Sequence, residues 1–118
     1  MFVKEFETIY FEYYDMVFRY VFSLCKEETW AEEITQEAFF KALKNINSFR
    51  GECKLSVWLC QIAKNIFYKE VFWMRTFGEL SFKDIGVIFG KSESWARVTY
   101  HRAKMKIKEE IPCDIHVN

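Results

Sequence analysis

One proline and four glycines in 118 residues leave this chain little with which to turn. Pro112 stands near the C-terminus, and the glycines are Gly51, Gly78, Gly86 and Gly90. A β-rich fold needs frequent turns, and glycine and proline are their main punctuators. The sequence therefore favours long helices, and its apolar residues agree. Phe6, Ile9 or Tyr10, Tyr13, Met16 or Val17, Tyr20 or Val21, and Leu24 recur in steps of three and four, one stripe on one helix. Lys26-Glu27-Glu28 ends it. Thr29 is expected to cap a second helix, with Glu32 completing a capping box. Ile34, Ala38, Phe39, Ala42 and Leu43 form its inner stripe, and Asn45-Ile46-Asn47-Ser48 closes it.

Residues 48–54 read as a loop hinged at Gly51. A third helix starts near Leu55 or Ser56 and meets no breaker before Gly78, a C′ candidate. Ser81 caps a short helix over Phe82–Phe89 that ends at Gly90. Ser92 caps a last helix from Glu93 to about Glu110, which Pro112 cannot continue.

Bulk properties narrow the function. Net charge is zero, but residues 1–68 hold eight Lys/Arg against ten Asp/Glu, and residues 69–110 hold nine against six. An acidic first half suits a basic protein partner; a basic second half suits nucleic acid. Aromatic residues make up 19% of the chain, enough that some should serve a surface partner. No segment is long and apolar enough to span a membrane, and Met1–Glu7 is too acidic for a secretory signal. The expectation is a cytoplasmic protein with no membrane association. Cys25, Cys53, Cys60 and Cys113 show no close pairing, and Cys53 and Cys60, seven apart, lack a local His partner, which favours reduced thiols over a zinc site. His101 and His116 have no nucleophile partner and there is no phosphate-cradling glycine loop, so neither an enzyme nor a cofactor is expected.

Residues 81–104 have the layout of a DNA-binding helix-turn-helix. Gly90 sits where the turn needs positive φ. Gly86 faces the second helix, and Ile85, Phe89 and Ala96 fill the space between the two. The second helix would enter the major groove. Arg97 can fork onto a guanine, Thr99 can meet a base, and His101 can donate. Arg102, Lys104, Lys106 and Lys108 offer charge to phosphates. A plain helical hairpin with a solvated basic face has the same spacing.

At this point the residues resemble a family. Glu79–Ser92 together with Arg97–Lys104, preceded by Lys69–Arg75, is similar to the promoter-reading helix-turn-helix of bacterial RNA polymerase sigma factors of the extracytoplasmic-function (ECF) type. Independently, Ala31–Leu43 resembles the family's polymerase-binding helix. Phe49-Arg50-Gly51-Glu52 with Val57–Asn65 resembles its segment for the minus-ten promoter element. The resemblance implies an all-α fold: an N-terminal helical bundle (1–68, sigma domain 2-like) joined by a long helix to a C-terminal helix-turn-helix (69–110, a truncated sigma domain 4-like unit), then a tail (111–118). It implies polymerase contacts at Glu33, Gln36, Glu37 and Phe40. It implies minus-ten contacts at Phe49, Arg50, Lys54, Trp58, Lys64 and Asn65. Upstream-element contacts fall on Ser92, Arg97, Val98, Thr99, His101, Arg102 and Lys104. The partners implied are core RNA polymerase, promoter DNA and an anti-sigma factor.

The chain departs from the family in one large way. The usual linker of some tens of residues and the helix that opens the second domain are absent, as in an internal deletion of a complete sigma factor. Lys91 replaces an apolar residue, and Gly86 stands where alanine is common. Two elements about 17 base pairs apart lie roughly 55–60 Å from each other. A helix over 55–77 reaches about 35 Å. The second half should also lack cover for its core, exposing apolar surface around Val71–Phe77 and favouring a homodimer. Three functions stay open on the sequence: an initiating sigma factor, a stand-alone helix-turn-helix regulator, and a truncated sigma that occupies polymerase or an anti-sigma factor without initiating.

Overall fold

The computed structural model describes residues 3–108, which form five α-helices and one 3-10 turn and contain no strand. The expectations at Glu110, Pro112, Cys113, His116 and the tail lie outside the described residues.

Helix α1 spans Val3–Cys25. Lys26, at φ 58, turns the chain out of it, and its N–H still reaches the Phe22 carbonyl at 2.7 Å. The chain re-enters a helix at once. Helix α2 spans Glu28–Lys44, and its cap is Glu27, whose carboxylate accepts from the Trp30 N–H at 2.7 Å. The expected Thr29 cap is thus displaced by two residues. Because a single left-handed residue suffices to end α1, Thr29 already lies in the first turn of α2. Asn45 closes α2 and Ile46–Ser48 makes a 3-10 turn.

Helix α3, Leu55–Thr76, runs without interruption through residue 68. After it the left-handed residue is Glu79 (φ 55), not Gly78 as the sequence suggests. Gly78 is needed for a different reason: a Cβ there would lie 2.8 Å from the Met74 carbonyl oxygen. Helix α4, Phe82–Ile88, is capped by the Ser81 hydroxyl, which accepts from Asp84 N–H at 3.0 Å. Helix α5, Glu93–Lys108, is capped by Ser92 in the same way, from Trp95 N–H at 3.0 Å.

Packing joins everything into one core. Val17, Val21 and Cys25 of α1 meet Ala31, Ile34, Ala38 and Phe39 of α2, with Trp58, Leu59, Ile62 and Ala63 of α3 buried among them. Farther along α3, Val71 and Met74 are buried with Ile85, Phe89, Ala96 and Ala103. Phe89 bridges the two groups: its ring lies 5.9 Å from Phe67, 5.2 Å from Trp30 and 5.4 Å from Trp95. The second half is therefore not left uncovered. The end of α3 takes the place of the missing helix, with Phe72 stacked on Tyr100 of α5 at 5.8 Å. Of the apolar surface expected over Val71–Phe77, only Trp73 and Phe77 are exposed, as a ring pair 6.3 Å apart.

The thiol expectation needs one correction. Cys25 and Cys60 are free, but Cys53 is disulfide-bonded. Spacing along the chain carries no signal for a pairing that depends on tertiary approach. Among the described residues no group of side chains could hold a metal ion, and no helix is long and apolar enough to cross a membrane.

Candidate functional site

Three surfaces follow from this fold. The first is the outer face of α2. Glu33, Gln36, Glu37 and Phe40 are exposed on it, while Ile34, Thr35, Ala38 and Phe39 point inward. Glu37 pairs with Lys41 at 3.6 Å, and Lys44 sits 5.3 Å from the centre of the Phe40 ring. A cleft of about 380 Å³ separates this face from α3, lined by Glu37, Lys41, Ile66, Lys69, Glu70 and Trp73. Burial, then the nearby Glu37 and Glu33, pushes the Glu70 carboxyl up from its ordinary range. The combination is an exposed aromatic ring with acidic residues on one side and lysines on the other, an aromatic anchor with a charged rim, which is the composition of a docking surface.

The second surface is the loop before α3 and the α3 face that follows. Arg50 and Lys54 are exposed, and Phe49, Lys64 and Asn65 are half-buried. Trp58 does not join them. It is only 1% exposed and packs against Phe49 at 5.0 Å, so it supports the loop from inside. Trp58, Ile62 and Ile66 share one inward stripe, and that period already argued for a core residue. Beside Lys64 a second cleft, about 420 Å³, is lined by Met16, Tyr20, Val57, Cys60, Gln61 and Lys64. The Gln61 side-chain oxygen is buried there with no hydrogen-bond partner among the described residues. Sequence reasoning missed Tyr20 and Gln61, because the cleft arises only where α1 crosses α3.

Burial, followed by Cys60 and Tyr68, pushes the Tyr20 hydroxyl up to about 12. An unfolded tyrosine ionises near pH 10. The folded state thus prefers the neutral phenol, a contribution fully present below about pH 10 and lost as pH rises through 12. The thermal midpoint should fall across that window, and Tyr20→Phe should flatten the fall in calorimetry.

The third surface is the helix-turn-helix. Gly90 has φ 65, as the turn requires. Ser92, Arg97, Val98, His101 and Arg102 are exposed, and Lys104 is half-buried with its ammonium 5.9 Å from the Tyr100 ring. Lys106 is also exposed, whereas nothing is described of the Lys108 side chain. Thr99 is the second correction: it is 5% exposed and lies on the inward stripe with Ala96 and Ala103. Arg97 is positioned from two sides. Its guanidinium meets Glu93 at 3.0 Å and lies 4.9 Å from the Phe82 ring, which Arg75 covers at 4.2 Å. The role of Phe82 as a platform for both arginines had no signal in the spacing.

Comparison with known proteins decides the family. Residues 9–72 match Sigma-70 region 2, and residues 68–107 match Sigma-70, region 4. The chain belongs to the sigma-70 family. Its relatives place it among the ECF type. It is 24% identical to RNA polymerase sigma factor YlaC of Bacillus subtilis (strain 168), over 89% of this chain and 91% of that protein. It is 36% identical to ECF RNA polymerase sigma factor SigM of the same organism, over 52% of this chain and 37% of SigM. A chain of the solved RsbN–BldN complex is 25% identical with a TM-score of 0.50, covering 86% of this chain and 88% of that one. The match to YlaC runs over 157 positions, more than the 118 residues of this sigma factor, so a stretch of that relative has no counterpart here. The two matched regions overlap at 68–72, inside α3.

Proposed function

We propose that this sigma factor docks on core RNA polymerase through Glu33, Gln36, Glu37 and Phe40, and reads promoter DNA at two places. Residues 1–68 carry the docking face and the minus-ten contacts Phe49, Arg50, Lys54, Lys64 and Asn65. Residues 69–110 carry the upstream-element contacts Ser92, Arg97, Val98, His101, Arg102 and Lys104. Trp58 and Thr99 act from the core. The chain does no covalent chemistry; it supplies binding energy and position, and it works in the cytoplasm, where polymerase and promoters are.

The observation that carries this reading is the exposed acidic face of α2, with Phe40 at its C-terminal end, on the same body as a helix-turn-helix whose outer face carries Arg97, His101 and Arg102. Each half by itself fits blander roles; together they fit a factor that brings polymerase to DNA. At the second surface, an unstacked base would find the Tyr20 ring and apolar walls, with Lys64 beside it for a phosphate. The likeness to a chain of the RsbN–BldN complex adds an anti-sigma protein to the partners.

The test is binding of the full chain to core polymerase, followed by transcription from a promoter the chain selects. Glu37→Lys reverses a charge on an exposed face and leaves the core intact. It should weaken polymerase binding at least about tenfold, the scale of an interface hot spot, with an unchanged circular dichroism spectrum. Wild-type binding without transcripts would favour a non-initiating sigma, a reading that the short junction within α3 supports. Absence of polymerase binding by the wild type would leave only the stand-alone regulator.

A further inference from the structure

The helix that carries the minus-ten residues is also the helix that holds the recognition helix, and this fixes the distance between them. Asn65 and Phe72 are seven residues apart on α3, on one stripe, separated by about 10 Å along the axis. Phe72 stacks on Tyr100 of α5 at 5.8 Å, and the Thr76 and Tyr100 hydroxyls are 3.4 Å apart. Helix α5 therefore lies on the α3 face that presents Asn65, just under two turns further on at Phe72. Its own outer residues, Arg97, Val98, His101 and Arg102, are exposed.

The junction offers no freedom to change this. Helix α3 is continuous from Leu55 to Thr76, and the matched regions share residues 68–72 with nothing between them. Phe89 locks α4 to Phe67 and Trp30 in the first half. An axial offset of about 10 Å and an interhelical distance of about 10 Å at right angles to it put the α5 contact roughly 14 Å from Asn65, axis to axis. The whole described body is 43 Å long, about twelve base pairs of duplex. A conventional separation of about 17 base pairs needs roughly 55–60 Å.

We infer that this sigma factor reads a contiguous promoter site, in which the upstream element lies within about twelve base pairs of the minus-ten element. The inference rests on the promoter-reading assignment above and specifies the DNA that satisfies it. Both surfaces then act within one short stretch of promoter DNA, about one helical turn or less apart.

The test uses the full chain with core polymerase and a randomised duplex pool. Selected sequences should contain two constrained blocks with centres no more than about twelve base pairs apart. Asn65→Ala should relax one block and Arg97→Ala the other. Inserting one helical turn, about ten base pairs, keeps the blocks on the same face. It should still lower affinity at least tenfold, because the loss reports reach and not phase. Blocks about 17 base pairs apart, an insertion without effect, or a single block indifferent to Arg97→Ala would overturn the inference while leaving polymerase docking intact. Failure to enrich any sequence, together with failure to bind polymerase, would overturn the promoter-reading assignment and the inference with it.

Discussion

Replacing Phe89 with alanine should lower the unfolding free energy of the entire chain by about 3–5 kcal/mol, in a single transition. The ring is 1% exposed. It touches Trp95 of its own helix-turn-helix, Phe67 at the middle of α3, and Trp30 near the start of α2. Removing it takes away its transfer free energy and leaves a cavity that three large, separately anchored rings cannot close. A chain of this size has about 5–15 kcal/mol of stability in all, so at least about a fifth of it is at stake. Chemical denaturation followed by both tryptophan fluorescence and far-ultraviolet circular dichroism would measure it, since Trp30 and Trp95 report from either side of the ring. Phe89→Leu should lose less. Two separated transitions in the variant, with only the C-terminal helices melting early, would show that the halves have independent cores.

The second large effect is at Gly86, and it should appear in DNA binding. A Cβ at this position would lie 2.6 Å from the Lys91 carbonyl oxygen and 2.8 Å from that of Ser92. Both are backbone atoms of the turn, so no side chain can rotate to make room. Gly86→Val must push the turn open. That breaks the bond from Lys91 N–H to the Gly86 carbonyl at 2.6 Å and shifts the Ser92 cap of α5. Overpacking costs about 1–3 kcal/mol and the lost bond about 1 more. Reorienting α5 should weaken duplex binding by well over tenfold in fluorescence anisotropy, while α1 to α3 keep their helical signal. Val87→Ala is the control, because Val87 is 71% exposed. A Gly86→Val protein with unchanged affinity and melting temperature would sink the account. The sequence placed Gly86 against the second helix; the structure sharpens this to the two turn carbonyls that precede it.

Much of this protein was legible in its sequence because the signals are local. Steps of three and four gave the inner stripes of α1 and α2. Ser81 and Ser92, each the hydroxyl that caps its helix, marked the helix-turn-helix to within a residue, and Gly90 marked its turn. A capping hydroxyl acts on an N–H three residues away, and a glycine relieves strain at its own φ, so neither needs knowledge of the rest of the chain. The same local reading failed where it put function ahead of period. Trp58 and Thr99 lie on inward stripes that spacing already defined, and both proved buried. At Thr29 it failed because a lysine in a left-handed conformation, which no propensity announces, ended α1 early enough for Glu27 to cap α2.

The aromatic surplus shows where local reading ends. Composition suggested rings held out for a partner. Most of the described rings pack on one another instead, and among the largest exposed ones are Phe11, Phe40, Trp73 and Phe77. The sequence by itself determined five helices, their order, the turn and the family resemblance, since each rests on residues within a few positions of one another. Tertiary structure alone decided that the halves share a core, that the end of α3 replaces the missing helix, and that a cleft opens beside Lys64. Those outcomes depend on Trp30 meeting Phe89 and Met16 meeting Cys60, contacts between residues far apart in the chain whose side chains are brought together only when every helix has packed.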